Sequence, residues 1–188
     1  MLQTPMNQLI ALYLPNVGAS LVIALIILTG VCRVTQSPLK RRLGFIISFI
    51  VCLIPIEGLS ISHFARALTG DLSMTSYICF SLIVRQRLFS LPAKRLTESF
   101  AIAGSILLTA IFFYPSSLGL GMLDIYAFGF YPVVLAPIVF TVFIYCVWFD
   151  YRLPALVLAA GFSSFALGLL DSDNLWDYLI DPIIVLYA

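Results

Sequence analysis

The feature that most constrains the fold is a series of long apolar runs that contain no charged side chains. Residues 1–32 carry no Asp, Glu, Lys or Arg, and neither do residues 125–149. A helix of about 20 mainly apolar residues can cross a bilayer core about 30 Å thick. Apolar and polar residues do not alternate in these runs, as they would in the strands of a membrane barrel. The runs therefore predict transmembrane helices, which satisfy their own backbone hydrogen bonds in lipid.

The composition narrows the functional classes. Hydrophobic residues make up 62% of the 188 residues and charged residues 10%, whereas soluble domains average about 45–50% and about 25%. The net charge is +1 and Lys/Arg clusters are sparse, which argues against a nucleic-acid partner. Nucleotide-binding, zinc-protease and serine-hydrolase motifs are absent, so no cofactor is evident. The four cysteines are spread one per apolar segment, and we interpret them as packing residues.

We predict an all-α, polytopic helical membrane protein that forms one membrane domain over residues 1–188. It has about six transmembrane helices and a short amphipathic C-terminal helix at the membrane interface. The first run lacks the basic segment of a signal peptide, so we expect it to remain as a membrane helix. Pro55 and Pro137 lie inside apolar runs and are expected to kink their helices. The predicted spans are residues 15–32, 43–61, 72–84, 97–114, 131–149 and 153–170.

The basic residues predict the orientation. They cluster in two connections, at residues 33–42 and 85–95. The positive-inside rule places both connections in the cytoplasm, so the short run at residues 72–84 must cross the bilayer between them. Nine of the ten Lys and Arg residues then fall inside, with Arg66 as the exception, and both termini are non-cytoplasmic. The expected location is a bacterial inner membrane.

The same orientation places most acidic residues at the outer face. Seven of the nine acids fall there, together with His63, Arg66 and two loops at residues 68–73 and 114–132. Long irregular connections in compact proteins are more often functional than not. We therefore place any site at the outer face, with Glu57, Asp71, Asp124, Asp171, Asp173, Asp177 and Asp181 as its acids.

The acidic tail, residues 171–188, holds the strongest candidate site. Asp173, Asp177 and Asp181 are four residues apart, which places them on one face of a helix. The opposite face is apolar, so the pattern predicts a short amphipathic helix that ends at Pro182 and rests its apolar face on the outer leaflet or on the bundle. The candidate site residues of this helix are Asp173, Asn174, Trp176, Asp177 and Asp181.

Two interpretations of this helix remain open, because no lysine or arginine lies near its acids. It can be a plain interfacial cap, since orientation depends on Lys and Arg and hardly on acids. Alternatively the acids are functional, since like charges at i and i+4 cost roughly 0.2–0.5 kcal/mol and Asp181 is expected at a helix C-terminus, where an anion is unfavourable. They would then bind a divalent cation, a cationic ligand or a basic partner surface. Asp173 and Asp177 are the candidate metal ligands.

Glu57 and Arg66 are further candidates at the outer face. Glu57 is expected about one turn from the outer end of the second helix, where it reaches the headgroups or faces the bundle with Arg66 or His63. Arg66 is the one cation predicted outside, so its expected partner is an acid or a lipid phosphate. One histidine is too few for a His-rich zinc site.

Three functions are compatible with these features. The one we favour is a non-enzymatic accessory or assembly subunit of an envelope lipid or polysaccharide system, which contacts a membrane or periplasmic protein partner. The second is a metal-dependent enzyme on a lipid-linked phosphate, with Mg²⁺, Mn²⁺ or Ca²⁺ held by Asp173 and Asp177, or by Asp71 and Asp124, and the phosphate by Arg66. The third is a component of a small-solute carrier with Glu57 in its pathway.

Overall fold

A computed structural model describes residues 5–89, 96–120 and 122–188. These residues form helices joined by short connections and contain no β-strands, which confirms the predicted all-α class. The helices are α1 (Pro5–Val34), α2 (Pro38–Leu53), α3 (Ile61–Thr69), α4 (Met74–Phe89), α5 (Leu96–Ser117), α6 (Pro132–Trp148), α7 (Arg152–Leu167), α8 (Leu175–Leu179) and α9 (Pro182–Tyr187), with a 3₁₀ turn at Tyr126–Gly129.

Helix α1 contains the longest apolar segment of the described residues. Its segment Tyr13–Val34 has 22 residues and a mean hydropathy of 2.3, which makes it long and apolar enough to cross a membrane. It is the one helix in the described parts that meets this criterion. Shorter apolar segments, Ile102–Ser117, Val133–Trp148 and Arg152–Leu167, belong to α5, α6 and α7.

Helix α2 ends earlier than the predicted second span. It runs over Pro38–Leu53, and Ile54 has an extended backbone with φ −69° and ψ 121°. A residue that precedes proline is biased away from the helical conformation. Pro55 therefore ends this helix, and the predicted kinked helix over residues 43–61 is wrong at its C-terminal end.

Helix α3 is an element that the apolar pattern does not predict. The His63 ring caps its first turn, because the Ser60 N–H donates to His63 Nδ1 at 3.2 Å and the Ser60 Oγ lies 2.7 Å from the same nitrogen. Gly70, with φ 72°, follows its last residue. The other ring nitrogen of His63 lies 3.3 Å from the Asn16 Nδ2 of α1. His63 therefore caps α3 and links it to α1.

Helix α4 lies in the middle of the bundle, where it contacts α1, α2, α7 and the two tail helices. It corresponds to the predicted short run at residues 72–84 and continues to Phe89. Phe80 of α4 packs in one hydrophobic cluster with Leu28 of α1 and Ile106 of α5. This central helix positions the candidate site at its N-terminus.

The basic ends of α1, α2 and α4 meet on one side of the bundle. The Arg42 guanidinium lies 4.8 Å from the centroid of the Phe89 ring, a cation–π contact between α2 and α4. Arg87 of α4 donates a hydrogen bond to the hydroxyl of Thr29 in α1. Residues 94–95, which the sequence assigns to the same basic end, lie outside the described residues.

The tail forms two short helices, so the predicted single helix from Asp173 to Asp181 is wrong. Between α8 and α9 the backbone of Ile180 is extended, with φ −144° and ψ 142°. Pro182 is well suited to the first position of a helix and Asp181 to the capping position before it. Asp181 and Pro182, which are predicted to end a helix, therefore begin a new one.

Helix α9 turns back into the bundle and packs against α4 and α5. Ile184 is 1% exposed and belongs to the same hydrophobic cluster as Phe80. The Tyr187 ring meets the Phe80 ring edge-on, with centroids 5.5 Å apart. The tail is therefore part of the core, and of the two supports predicted for its apolar face, the outer leaflet or the bundle, the structure contains the bundle.

Candidate functional site

Asp181 joins the tail to the start of α4. Its Oδ2 accepts hydrogen bonds from the Ser73 N–H at 2.8 Å, the Ser73 hydroxyl at 2.7 Å and the Ser76 hydroxyl. Its Oδ1 accepts from the N–H groups of Ile183 and Ile184 at 2.8 and 2.9 Å. Asp181 is only 3% exposed, so these protein donors replace the water that a free carboxylate would bind.

The position of Asp181 between two helices explains why a buried anion is tolerated. One carboxylate oxygen caps the N-terminus of α9, and the other bonds the residue that precedes α4. The carboxylate therefore meets the positive ends of two helix dipoles. The expectation that Asp181 lies at an unfavourable helix C-terminus is wrong, because this residue begins a helix. The acid is a structural cap.

Asp177 holds the 3₁₀ turn against the tail. The Tyr126 hydroxyl lies 3.3 and 3.2 Å from its two carboxylate oxygens, and the Ser172 hydroxyl donates to Oδ2 at 2.5 Å. Burial raises the pKa of the Tyr126 phenol above its usual value, and the neighbouring Asp177 carboxylate raises it further. Tyr126 therefore remains a neutral hydrogen-bond donor to this carboxylate well above neutral pH.

Asn174 and Trp176 also attach the tail to this turn. The buried Asn174 donates from Nδ2 to the Tyr126 carbonyl at 3.0 Å and accepts at Oδ1 from the Trp176 N–H at 2.9 Å. The Trp176 indole N–H donates to the Ile125 carbonyl at 3.0 Å. Only glycine fits at position 129, because a Cβ there would lie 2.6 Å from the Asn174 Cγ. Both candidate side chains therefore maintain the fold at this end.

Arg66 and Asp71 form an ion pair beside the start of α4. The Arg66 Nε lies 2.6 Å from the Asp71 Oδ1, and its Nη2 lies 3.2 Å from Oδ2. This two-point geometry is the strong form of an arginine–carboxylate contact. Both side chains are partly buried. Of the two partners expected for Arg66, an acid or a phosphate, the structure contains the acid.

A cleft of about 530 Å³ lies beside these groups. Its size falls within the range of about 300–1,000 Å³ that is typical of small-molecule sites. Four predicted acids, Asp71, Asp171, Asp177 and Asp181, meet there. The lining combines carboxylates, aromatic rings and small polar residues: Thr69, Gly70, Asp71, Phe113, Tyr114, Ser117, Tyr126, Leu170, Asp171, Ser172, Asp177, Ile180, Asp181 and Pro182.

Three other predicted acids do not line this cleft. Glu57 occupies an exposed turn with a positive φ of 53°. Asp124 accepts a hydrogen bond from the Ala127 N–H at 3.1 Å, which stabilises the 3₁₀ turn. Asp173, a candidate metal ligand, is exposed. Within the described residues, no group of three or more His, Cys, Asp or Glu side chains is arranged to hold a metal ion.

Three residues that build this end of the bundle, Ser73, Ser76 and Tyr178, are not predicted from the sequence. Ser73 and Ser76 supply hydroxyl donors to Asp181, and a serine followed three residues later by a polar residue before an apolar run is a helix-start signal. The fully buried Tyr178 donates its hydroxyl to the Leu170 carbonyl at 2.9 Å and accepts from the Leu170 N–H at 3.1 Å. No local pattern marks Tyr178, since it acts through contacts formed only when the tail folds back.

No protein-family model, curated protein or solved structure matches this chain. The geometry of the acidic end is therefore the basis for assigning a function.

Proposed function

We propose that this chain is a multi-pass protein of the bacterial inner membrane and that six helices cross the bilayer: α1, α2, α4, α5, α6 and α7. Helix α6 supports this most directly. It contains no charged residue, and apolar side chains such as Val133, Phe140 and Trp148 are exposed along its length, Trp148 by 81%. Extended apolar surfaces of this kind are unfavourable in water and mark contact with lipid or with another protein.

Four of the six helices are shorter than a bilayer core. Helices α2, α4 and α7 have 16 residues each and α6 has 17, which corresponds to about 24–26 Å at 1.5 Å per residue, against a core of about 30 Å. Local thinning of the bilayer and flanking residues that extend to the interface compensate for such a mismatch at modest cost. We therefore expect a thinner bilayer around these four helices.

The proposed orientation rests on the separation of charge between the two ends of the bundle. Arg42 and Arg87 lie at the end where α1 and α4 finish and α2 begins. Asp71, Asp177 and Asp181 gather at the opposite end of α4. The positive-inside rule places the basic end in the cytoplasm and the acidic cleft outside.

The arrangement of the acids supports a non-catalytic role. Asp181 accepts hydrogen bonds from two serine residues and two backbone amides, Asp71 pairs with Arg66, and Asp177 accepts from two hydroxyl groups. Catalytic carboxylates must be accessible to substrate or metal, whereas these three are used to shape the end of the bundle. We propose that the protein is an accessory or assembly subunit of an envelope lipid or polysaccharide system, and that it acts through this shaped outer end.

Labelling of single cysteines tests the orientation. In a variant without the four native cysteines, Asp173→Cys at the acidic end is compared with Gln36→Cys at the basic end; both positions are exposed. A membrane-impermeant maleimide is expected to label position 173 in intact spheroplasts and position 36 only after lysis. Labelling in the opposite order would overturn the proposed orientation.

Site-specific photocrosslinking at the same two positions tests the subunit role. A crosslinking side chain at position 173 is expected to capture one partner protein in a fixed ratio, which native mass spectrometry of the gently extracted complex also detects. The matched crosslinker at position 36 should not capture it. A protein that remains alone at native expression levels, with no adduct at position 173, would contradict this role.

A further inference from the structure

Helix α3 packs with its polar side against the bundle and its apolar side outward. Ser62 is fully buried and Arg66 is partly buried, whereas Ile61, Phe64 and Leu68, which share one helix face, are exposed. Leu68 is 88% exposed. A surface helix in water turns its apolar face toward the core. The reversed arrangement indicates that an apolar medium surrounds α3.

Exposed apolar side chains also adjoin the cleft. Leu68 immediately precedes Thr69, and Leu118 immediately follows Ser117; Thr69 and Ser117 both line the cleft. Beyond Leu118 the chain continues with Leu120, which is 79% exposed. We call Leu68, Leu118 and Leu120 the apolar rim. A cleft that contains four carboxylates, with exposed apolar side chains next to its lining residues in the chain, fits a ligand that is itself polar at one end and apolar at the other.

The interior of the cleft selects for positive charge. Asp171 and Asp177 contribute carboxylates, which accept hydrogen bonds but cannot donate them. Asp177 accepts from the Tyr126 and Ser172 hydroxyl groups and keeps further lone pairs for a bound group, since a carboxylate has about four acceptor sites. The rings of Phe113 and Tyr126 line the same space, and the face of an aromatic ring attracts cations. A group with a positive charge and N–H donors satisfies both features, whereas an anionic group would be repelled by the carboxylates.

We propose that this cleft binds the headgroup of a membrane phospholipid that ends in a primary ammonium and enters sideways from the outer leaflet. We assign the ligand to the lipids, because the acyl chains of a lipid would cover Leu68 and Leu120 of the apolar rim. The carboxylates select among headgroups. The assignment to the outer leaflet rests on the proposed function, which places this end of the bundle outside.

The guanidinium of Arg66 adds a contact for the lipid phosphate. It pairs with Asp71 through Nε and Nη2, so Nη1 lies outside the two-point contact. Asp71 lines the cleft, and the Arg66 guanidinium lies one hydrogen bond away from that lining residue. The phosphate of a zwitterionic headgroup then contacts the Arg66 guanidinium, and its ammonium contacts the carboxylates.

Titration of the delipidated full-length protein in detergent with defined lipids, read by native mass spectrometry, tests the inference. The probes are dioleoyl phosphatidylethanolamine, its N-acetylated derivative, which lacks the ammonium, and dioleoyl phosphatidylglycerol. The dissociation constant is expected to be about tenfold lower for phosphatidylethanolamine than for either other lipid. Equal affinity for the N-acetylated lipid would overturn the inference.

Three variants test whether the lipid binds in this cleft. The double variant Asp171→Asn/Asp177→Asn is expected to lose the preference, while Asp173→Asn, an exposed acid outside the cleft, keeps it. Ser117→Trp fills the border of the cleft without changing a carboxylate, and it should weaken phosphatidylethanolamine binding even if the double variant folds poorly. A preference that survives Ser117→Trp and the double variant would place the lipid elsewhere and contradict the inference.

A further comparison distinguishes binding of a lipid from binding of a free amine. It also distinguishes a failure of the cleft assignment from a failure of the proposed function. Leu68→Glu should weaken binding of phosphatidylethanolamine and leave binding of soluble phosphoethanolamine unchanged; an equal effect on both would contradict entry from the leaflet. If cysteine labelling reverses the orientation while the lipid preference persists in detergent, the cleft assignment stands and the orientation fails. If the orientation holds and the preference is absent, only the cleft assignment fails.

Discussion

Asp181 and Ser73, which are 108 residues apart in the chain, are joined through one carboxylate oxygen that accepts both the N–H and the hydroxyl of Ser73, at 2.8 and 2.7 Å. This contact fixes the tail to the central helix at the acidic end. It also removes Asp181 from the set of acids available to a ligand, because its other oxygen is engaged by the backbone of α9.

Replacement of Asp181 by asparagine is expected to destabilise the protein by about 2–3 kcal/mol. The amide keeps the size of the side chain but places an NH₂ group opposite donors that need an acceptor. Unfolding in mixed micelles with increasing denaturing detergent measures the change. Asp173→Asn is the control, since an exposed acid should contribute less than about 0.5 kcal/mol. Equal effects of the two substitutions would show that Asp181 is not a buried cap.

The contact between Gly129 and Asn174 predicts that Gly129→Ala lowers the free energy of unfolding by about 1–3 kcal/mol. A Cβ at position 129 would lie 2.6 Å from the Asn174 Cγ and 2.7 Å from the Trp176 Cδ1. Gly104→Ala is the matched control, because no atom lies within 4 Å of a Cβ there and alanine is favoured inside a helix. The same unfolding assay should show a neutral or stabilising effect for Gly104→Ala. A neutral Gly129→Ala would mean that the tail does not pack on the 3₁₀ turn.

The turn that follows α2 offers a stabilising substitution. Glu57 has φ 53° and Gly58 has φ 89°, and the flanking Ile56 and Leu59 exchange backbone hydrogen bonds of 2.8 and 3.1 Å. Two consecutive positive φ values define the turn type that favours Asn-Gly. Glu57→Asn is therefore expected to stabilise the protein by roughly 0.5–1 kcal/mol, while Glu57→Gln, which removes the same charge, should not. An equal gain from both would attribute the effect to charge.

The raised pKa of Tyr126 predicts that the protein loses stability at alkaline pH. Its pKa is raised in the folded protein, so its contribution to the free energy of unfolding is complete below the unfolded value, which is about 10, and is lost as the pH rises through the folded pKa. At neutral pH, Tyr126→Phe should cost about 1 kcal/mol through the lost hydrogen bond to Asp177. The difference from wild type should shrink above a pH of about 10.

Unfolding measured at neutral and alkaline pH checks this prediction. Tyr13→Phe, at an exposed position, is the control for the general loss of stability at high pH. A difference between wild type and Tyr126→Phe that does not change with pH would contradict the proposed coupling between Tyr126 and Asp177.

Long apolar runs predict helices α5, α6 and α7 well, because one property repeated over many residues determines them. Short elements are different. Asp181 and Pro182 are compatible with the end of one helix or the start of the next, and the decision depends on Ser73, far away in the chain. Pro55 likewise either kinks or ends a helix, and the local pattern does not distinguish these outcomes.

The candidate site could be predicted only in part for the same reason. The sequence groups the acids at one end, and Asp71, Asp177 and Asp181 do meet at one cleft. Their separate roles could not be read from spacing, because the partners of Asp177 and Asp181 include side chains about 50 and 105 residues away. The reversed face of α3 was equally inaccessible, since it requires knowledge of which side packs on α1.

The long-range closure by Asp181 also sets an order of assembly during translation. Ser73 and Ser76 leave the ribosome more than 100 residues before their acceptor does, so the N-terminal end of α4 remains uncapped while α5, α6 and α7 are being synthesised. Completion of this end waits for residues 181–184, which cap and fill it together. A chain truncated before residue 181 would leave Ser73 and Ser76 without the Asp181 acceptor and Phe80 without its contact with Tyr187, and exposed groups of this kind are what proteases and chaperones recognise in an unfinished protein.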